Sequence, residues 1–211
     1  MIRARYLSTA PFSFRREQAT TKMAQTYPCP TPYAAKVALI VGAIRAGLDP
    51  ESFTRKVRDV DVRPHPWGEG VVNTHLTRHW EPPRSSADLP PGHLKPTVVY
   101  REFVYFDGGV DLHFPAESLD DLRPALPGVN CFGKQGSFFA LKEVVEAEPP
   151  ESKIEFTGSD MKPDAEWEDV SNFSGSTRKP RESEVTMGLD MHMAGAGEGF
   201  MHLKFNDTEE Q

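Results

Sequence analysis

Apolar positions along this chain follow two different periods. From Ile2 to Thr9, Ile2, Ala4 and Tyr6 alternate with Arg3, Arg5 and Leu7, which predicts a half-buried opening strand that Pro11 ends. Phe12 to Pro30 is polar, basic and bounded by prolines, too long for a tight turn and without a helical stripe, so it reads as a functional loop. Thr31 followed by Pro32 then offers an N-cap hydroxyl and a proline at the first helical position. Val37, Ile40, Val41 and Ile44, with Ala34, Ala35 and Ala38 among them, form a 3.6-residue stripe that Gly47 stops.

Further along, Phe53 to Val62 alternates charged with apolar residues and Val71 to Trp80 is rich in β-formers, predicting two strands joined by a turn at Pro64 to Gly68. Glu81 to Pro96 is proline-rich and predicts an irregular excursion or a projecting arm. Thr97 to Phe106 and Val110 to Phe114 flank Asp107, Gly108 and Gly109, the signature of a hairpin turn. Ser118 to Leu126 predicts a short helix or turn, and Ser137 to Val145 a strand. Beyond Glu146, Val185 to Met193 and Phe200 to Phe205 suggest a returning hairpin around Gly195 to Gly199, with 159–184 loosely ordered. The elements together predict an α+β fold with one main core.

Charge changes this picture. The net value of −7 argues against nucleic acid, yet it hides a gradient. Residues 1–64 hold eleven Lys or Arg against five Asp or Glu, 65–145 hold seven against ten, and 146–211 hold six against sixteen. A basic front and an acidic tail suit a subunit that grips an anion with one face. No run approaches the roughly 18 apolar residues of a membrane span, and no leader pattern precedes the first strand, so a cytoplasmic protein is expected. The two cysteines, Cys29 and Cys131, have no His or Cys neighbours at zinc-ligand spacing. Neither a metal nor a cofactor is expected.

Two segments carry candidate chemistry. The first combines Arg15, Arg16, Lys22, Gln25 and Thr26 with Phe12, Phe14 and Tyr27 and runs into a helix N-terminus. Cations pair with phosphates, aromatic faces stack on bases, and free N–H groups of a first helical turn bind oxyanions. Burial of Phe12 and Phe14 as core plugs is the plainer reading of the rings. The second is Phe132-Gly133-Lys134-Gln135-Gly136-Ser137-Phe138, where glycines flank a lysine and allow close backbone approach to a phosphate; a plain glycine hairpin competes with that reading. The spacing of a P-loop is absent, as are a nucleophile elbow, a dinucleotide fingerprint and a zincin helix.

A strand, a basic loop closing as Tyr27-Pro28-x-Pro30-Thr31-Pro32 into an Ala-rich helix, and the later Phe132-Gly133-Lys134-Gln135-Gly136-Ser137-Phe138 resemble the Cas-five branch of the CRISPR-associated RAMP superfamily over roughly residues 1–145. The resemblance implies a ferredoxin-like (RRM-like) domain with an antiparallel sheet over 1–145, a thumb-like insertion at 63–97 and a glycine-rich loop near RNA, leaving 146–211 as an acidic C-terminal extension. It implies a noncatalytic, RNA-binding subunit of a Cascade-like antiviral complex. Such a subunit binds the 5′ handle of the crRNA, caps the backbone filament, contacts the backbone and large subunits, and meets target DNA indirectly. Arg15, Arg16 and Lys22 become handle-phosphate ligands and Lys134 and Gln135 loop contacts, with Gln25, Thr26, Tyr27 and Lys36 completing the expected RNA-binding set.

Two other functions compete. A metal-independent endoribonuclease would use side chains such as His65, His75, His79, His93 or His113 to deprotonate a 2′-hydroxyl, although none of them sits in a distinctive motif. His75 and His79 would share one side of a strand without an evident third metal ligand, and His192 and His202 flank a glycine-rich turn. A protein-only interaction module would act through the acidic tail.

Overall fold

A computed structural model describes residues 1–16, 23–81, 94–133, 136–148, 154–157, 166–170, 185–189, 192–197 and 200–205. The chain runs β1 (Ile2–Ser8), β2 (Phe14–Arg15), β3 (Met23–Ala24), β4 (Thr26–Tyr27), α1 (Pro32–Arg45) and α2 (Pro50–Arg58). The long strands β5 (Arg63–Glu81) and β6 (Lys95–Phe114) follow, then α3 (Leu119–Leu122) between 3₁₀ turns at Ala116–Ser118 and Leu126–Gly128, and β7 (Phe139–Glu146). Five short strands complete the described residues: β8 (Ile154–Thr157), β9 (Glu166–Val170), β10 (Val185–Leu189), β11 (His192–Gly197) and β12 (Phe200–Phe205).

The main sheet has the order β11-β12-β5-β6-β1-β7, and β3 pairs beside β6. Every pairing along that order is antiparallel, while β3 runs parallel to β6. The opening alternation has a direct consequence in β1. Ile2, Ala4 and Tyr6 are buried against Leu39 and Ala43 of α1, Leu122, Leu126 and Phe139 in one apolar core. Arg3 and Arg5 therefore point to the other face. There Arg5 forms a two-armed ion pair with its cross-strand partner Asp111, at 3.0 Å (Nε to Oδ1) and 2.9 Å (Nη2 to Oδ2). Its guanidinium also lies 4.5 Å from the ring centroid of Trp67. Arg3 reaches Glu143 at 3.0 Å.

Helix α1 begins where its cap chemistry predicts: the Ala34 amide donates to Thr31 Oγ1 at 3.2 Å, and Pro32 stands at the helix start. Gly47, with φ +76, ends it, and the Leu48 amide reaches back to the Ala43 carbonyl. The buried face differs from the expected stripe. Ala35, Ala38, Leu39, Gly42 and Ala43 face the core, whereas Ile44 is exposed. Close approach explains the choice of small residues. A Cβ at Gly42 would stand 2.3 Å from the Ala125 carbonyl oxygen, so only a small-residue face fits that neighbour.

Three sequence expectations fail on local chemistry. Residues 50–58 are helix α2, not strand: Asp49 accepts from the Ser52 amide at 2.7 Å, Pro50 starts the helix, and Phe53 and Val57, four apart, are its buried pair. Pro64 to Gly68 is no turn but the first part of β5, paired with β6 from Arg63↔His113 onward. Since β12 pairs with β5 only from Gly68 to Asn73, Pro64 and Pro66 stand where the outer edge has no ladder to donate to among the described residues. Asp107 to Gly109 likewise lies inside β6. Gly68 (φ +85) faces Gly108 (φ +150), and a Cβ on either would lie 2.2 Å from a backbone oxygen of the opposite strand.

Of the stretch expected as a thumb, 63–97, residues 63–81 and 95–97 are continuous with the sheet, and 82–93, the greater part of the expected irregular excursion, lie outside the described residues. Past Asn73, where β12 stops pairing, β5 and β6 continue as a two-stranded arm to Glu81↔Lys95. In the acidic extension the partner of β12 is His192–Gly197, while Val185–Leu189 pairs with β8 and β9 in a separate three-stranded sheet. Of the span 159–184, expected to be loosely ordered, Glu166–Val170 is strand β9 and the remainder lies outside the described residues. Through β12, part of the extension joins the main sheet beside β5.

Candidate nucleic-acid interface

The basic loop is a pinned ribbon. Phe12 exchanges two backbone hydrogen bonds with Val104 of β6, at 3.0 and 2.8 Å, and β2 then pairs with β4 in the register Phe14↔Tyr27 and Arg15↔Thr26. The Arg16 amide donates to the Gln25 carbonyl at 2.9 Å. Thr26 locks the ribbon from both sides, since its Oγ1 accepts from the Phe14 amide at 2.8 Å and its own amide donates to Glu102 of β6 at 2.9 Å. Strand β3 adds the register Met23↔Tyr100 and Ala24↔Arg101.

Alternation along β2 sends Phe14 inward and Arg15 outward. Phe12 and Phe14 are buried, in line with the plainer reading of these rings, and their centroids lie 4.7 Å apart. Phe12 also meets Phe139 at 5.4 Å, and Phe14 stacks on Phe139 at 6.4 Å with an interplanar angle of 14°. Phe132 closes the cluster, 5.0 Å from Phe139 and 5.3 Å from Tyr6. The glycine-flanked segment starts from Phe132, so the cluster joins the two candidate segments. Gly133 adopts φ +63, and a Cβ there would lie 3.3 Å from Cδ1 of Phe14.

The expected RNA-binding residues divide by exposure. Arg15 and Gln25 are exposed, and Arg16 is half-buried with its guanidinium 5.7 Å from the Tyr27 ring centroid. Thr26 and Tyr27 are buried and hold the ribbon's shape. Lys36 requires a correction of role. It is 3% exposed and its Nζ donates to the Arg58 carbonyl at 2.8 Å, which ties α1 to the C-terminus of α2. Burial lowers its pKa, with Asp61 and Asp59 opposing the shift. Lys22, Lys134 and Gln135 lie outside the described residues. Sequence reasoning missed Glu102, a carboxylate on a strand with no local motif, and passed over Phe138, which is 45% exposed beside the glycines.

On the face behind the sheet, His65 and His113 meet edge to face at 6.4 Å, and burial pushes the pKa of each down to about 4. For His113 the charges of His65, Arg3 and Arg5 add to the effect. Among the described residues no cluster of three or more His, Cys, Asp or Glu side chains is placed to hold a metal ion, and no helix is long and apolar enough to cross a membrane.

No family model matches the sequence. A CRISPR-associated protein Cas5 from Archaeoglobus fulgidus is 26% identical over 147 residues, covering 68% of this chain. The chain spans 64% of that relative's length. A crystal structure of a CRISPR protein from Archaeoglobus fulgidus aligns over 98% of this chain and 93% of its own, with a TM-score of 0.39 and 14% identity. The sequence match to a Cas5 protein agrees with the resemblance to the Cas-five branch of the CRISPR-associated RAMP superfamily carried by the Tyr27–Pro32 and Phe132–Phe138 segments.

Proposed function

We propose that this chain is a noncatalytic RNA-binding subunit of a CRISPR effector complex, and that it holds the 5′ handle of the crRNA at one end of a Cascade-like filament. One observation carries the reading: the Phe14–Gly133 contact sets the basic ribbon against the glycine-flanked segment, although they are far apart in the chain. Arg15 and Arg16 lie on the ribbon, and both segments continue into residues of the expected set, Lys22 on one and Lys134 with Gln135 on the other. An anion held at this junction would meet the cations of the ribbon.

The sheet supports the finer fold reading. The order β7-β1-β6-β5, with α1 and α2 between β1 and β5 and short helical turns between β6 and β7, is what a β-α-β-β-α-β ferredoxin-like chain produces. Its proposed partners are the crRNA, a backbone subunit and a large subunit, with target DNA met indirectly, in the cytoplasm. For one of the candidate histidines burial supports the noncatalytic reading: His113 is 4% exposed, out of reach of a 2′-hydroxyl, and burial makes it a weak base.

The test is RNA binding by the full chain with Arg15→Glu and Arg16→Glu. Charge reversal is expected to weaken binding to repeat-derived single-stranded RNA at least tenfold and to flatten its salt dependence. Unchanged affinity would remove the ribbon from the function. Incubation with repeat-containing precursor RNA in chelator tests the rest, because specific cleavage would make the chain a metal-independent endoribonuclease.

A further inference from the structure

We infer that Phe138 is a base-stacking residue, with one unpaired nucleobase of RNA lying on its exposed ring beside Gly136. The inference rests on the RNA-binding reading above and adds a second ligand group, an aromatic base in addition to a phosphate.

Phe138 is set apart from the other rings around it. Tyr6, Phe12, Phe14, Tyr27, Phe132 and Phe139 are all 6% exposed or less, whereas Phe138 is 45% exposed. The cause is alternation at the start of β7: Phe139 turns in to stack on Phe14, so its neighbour turns out. Arg15 is the outward neighbour of the other ring in that stacked pair. A cation and an aromatic face thus leave the protein from the two sides of one buried contact.

The backbone beneath Phe138 is fixed. Its carbonyl accepts from the Thr9 amide at 3.0 Å, the next amide donates to the Asn130 carbonyl at 3.0 Å, and Cys131 bridges to Phe138 itself. Little conformational entropy remains to be lost there on binding. Space is also available. Gly136 has φ +109, and a Cβ added to it would meet nothing within 4 Å among the described residues. Single-stranded RNA needs stacking platforms next to cations, and every base has a face that a phenyl ring accepts.

The experiment is fluorescence anisotropy of the full chain with a labelled mixed-sequence single-stranded RNA, over a series of salt concentrations. Phe138→Ala is expected to lose about 5- to 100-fold in affinity. The slope of log affinity against log salt should stay unchanged, because a phenyl ring releases no counterion. Arg15→Ala should lower both quantities. Phe138→Trp should keep the affinity and add an indole to the three tryptophans of the wild type, so that RNA quenches more of its emission than of the wild type's; this variant decides the matter if Phe138→Ala proves unstable. If Arg15→Ala weakens binding while Phe138→Ala and Phe138→Trp bind as wild type, with no quenching beyond that of the wild type, stacking is overturned and the RNA-binding reading stands. If neither Arg15→Ala nor Phe138→Ala weakens binding, or the wild type binds no RNA, both fall and Phe138 is left as a contact for protein.

Discussion

The ring of Phe14 lies against Gly133, so closely that a Cβ at this glycine would meet Cδ1 at 3.3 Å. Gly133 also has φ +63, a conformation that costs an L-residue with a Cβ roughly 1–2 kcal/mol. Gly133→Ala should therefore lower stability by about that amount in urea unfolding. It should also displace the ribbon from the glycine-flanked segment. Gly133→Asn separates the two effects, since asparagine tolerates this conformation yet still carries a Cβ. The Asn variant should regain stability relative to Ala while RNA affinity stays reduced in both.

The facing glycines of the long hairpin give a sharper contrast. Gly68 and Gly47 have similar φ values, +85 and +76, but a Cβ at Gly47 would meet nothing within 4 Å among the described residues, whereas at Gly68 it would stand 2.2 Å from the Asp107 carbonyl oxygen. Gly47→Ala should cost about 1 kcal/mol from conformation alone. Gly68→Ala should cost that and the displacement of β6 as well, at least about 2 kcal/mol more on the scale of an overpacked interior. Equal midpoints in urea for the two variants would show that the strands separate freely at this register.

These glycines also show how far the sequence could be read. The alternation of β1 and the Thr31-Pro32 cap with its Gly47 stop were legible because each is a local signal with a local cause. Helix α2 carried an equally local signal in Asp49 and Pro50, but the alternation of Val60 and Val62 with charged residues masked it. Asp107 to Gly109 has the composition of a hairpin turn, yet its glycines serve a close crossing with β5 and, at Gly109, with Tyr6. Composition does not tell a turn from a crossing, because both demand a missing side chain. The same limit applies to the site. Arg15 and Arg16 were legible as cations, but Lys36 looked the same in sequence and is spent on the Arg58 carbonyl. Only the fold brings Phe14 to Gly133.

The Arg5–Asp111 pair should behave as a buried ion pair. Both residues are less than a tenth exposed. Asp111→Ala leaves the Arg5 guanidinium without its carboxylate and should cost about 3–5 kcal/mol. Replacing both partners, as Arg5→Met with Asp111→Leu, removes the two desolvation penalties together, and this double variant should be more stable than Asp111→Ala alone. A double variant as unstable as the sum of its single changes would show that Trp67 and Arg3 depend on the charges themselves.

The histidines behind the sheet set the response to acid. His113 is buried and its pKa is lowered from the ordinary value of 6.5 to about 4, so it is neutral in the fold at pH 7. A depressed histidine pKa means that between pH 6.5 and 4 the unfolded chain binds a proton that the native chain refuses. Stability therefore falls as pH drops through that window and is flat above it. For His113 alone the loss between pH 7 and pH 5 is about 2 kcal/mol, and the same displacement at His65 acts in the same direction. Urea unfolding at pH 7 and pH 5 measures it. His113→Leu should remove about half of the difference, because leucine binds no proton and the equal displacement at His65 supplies the rest. A pH dependence that survives both His113→Leu and His65→Leu would show that this buried pair does not set the acid response.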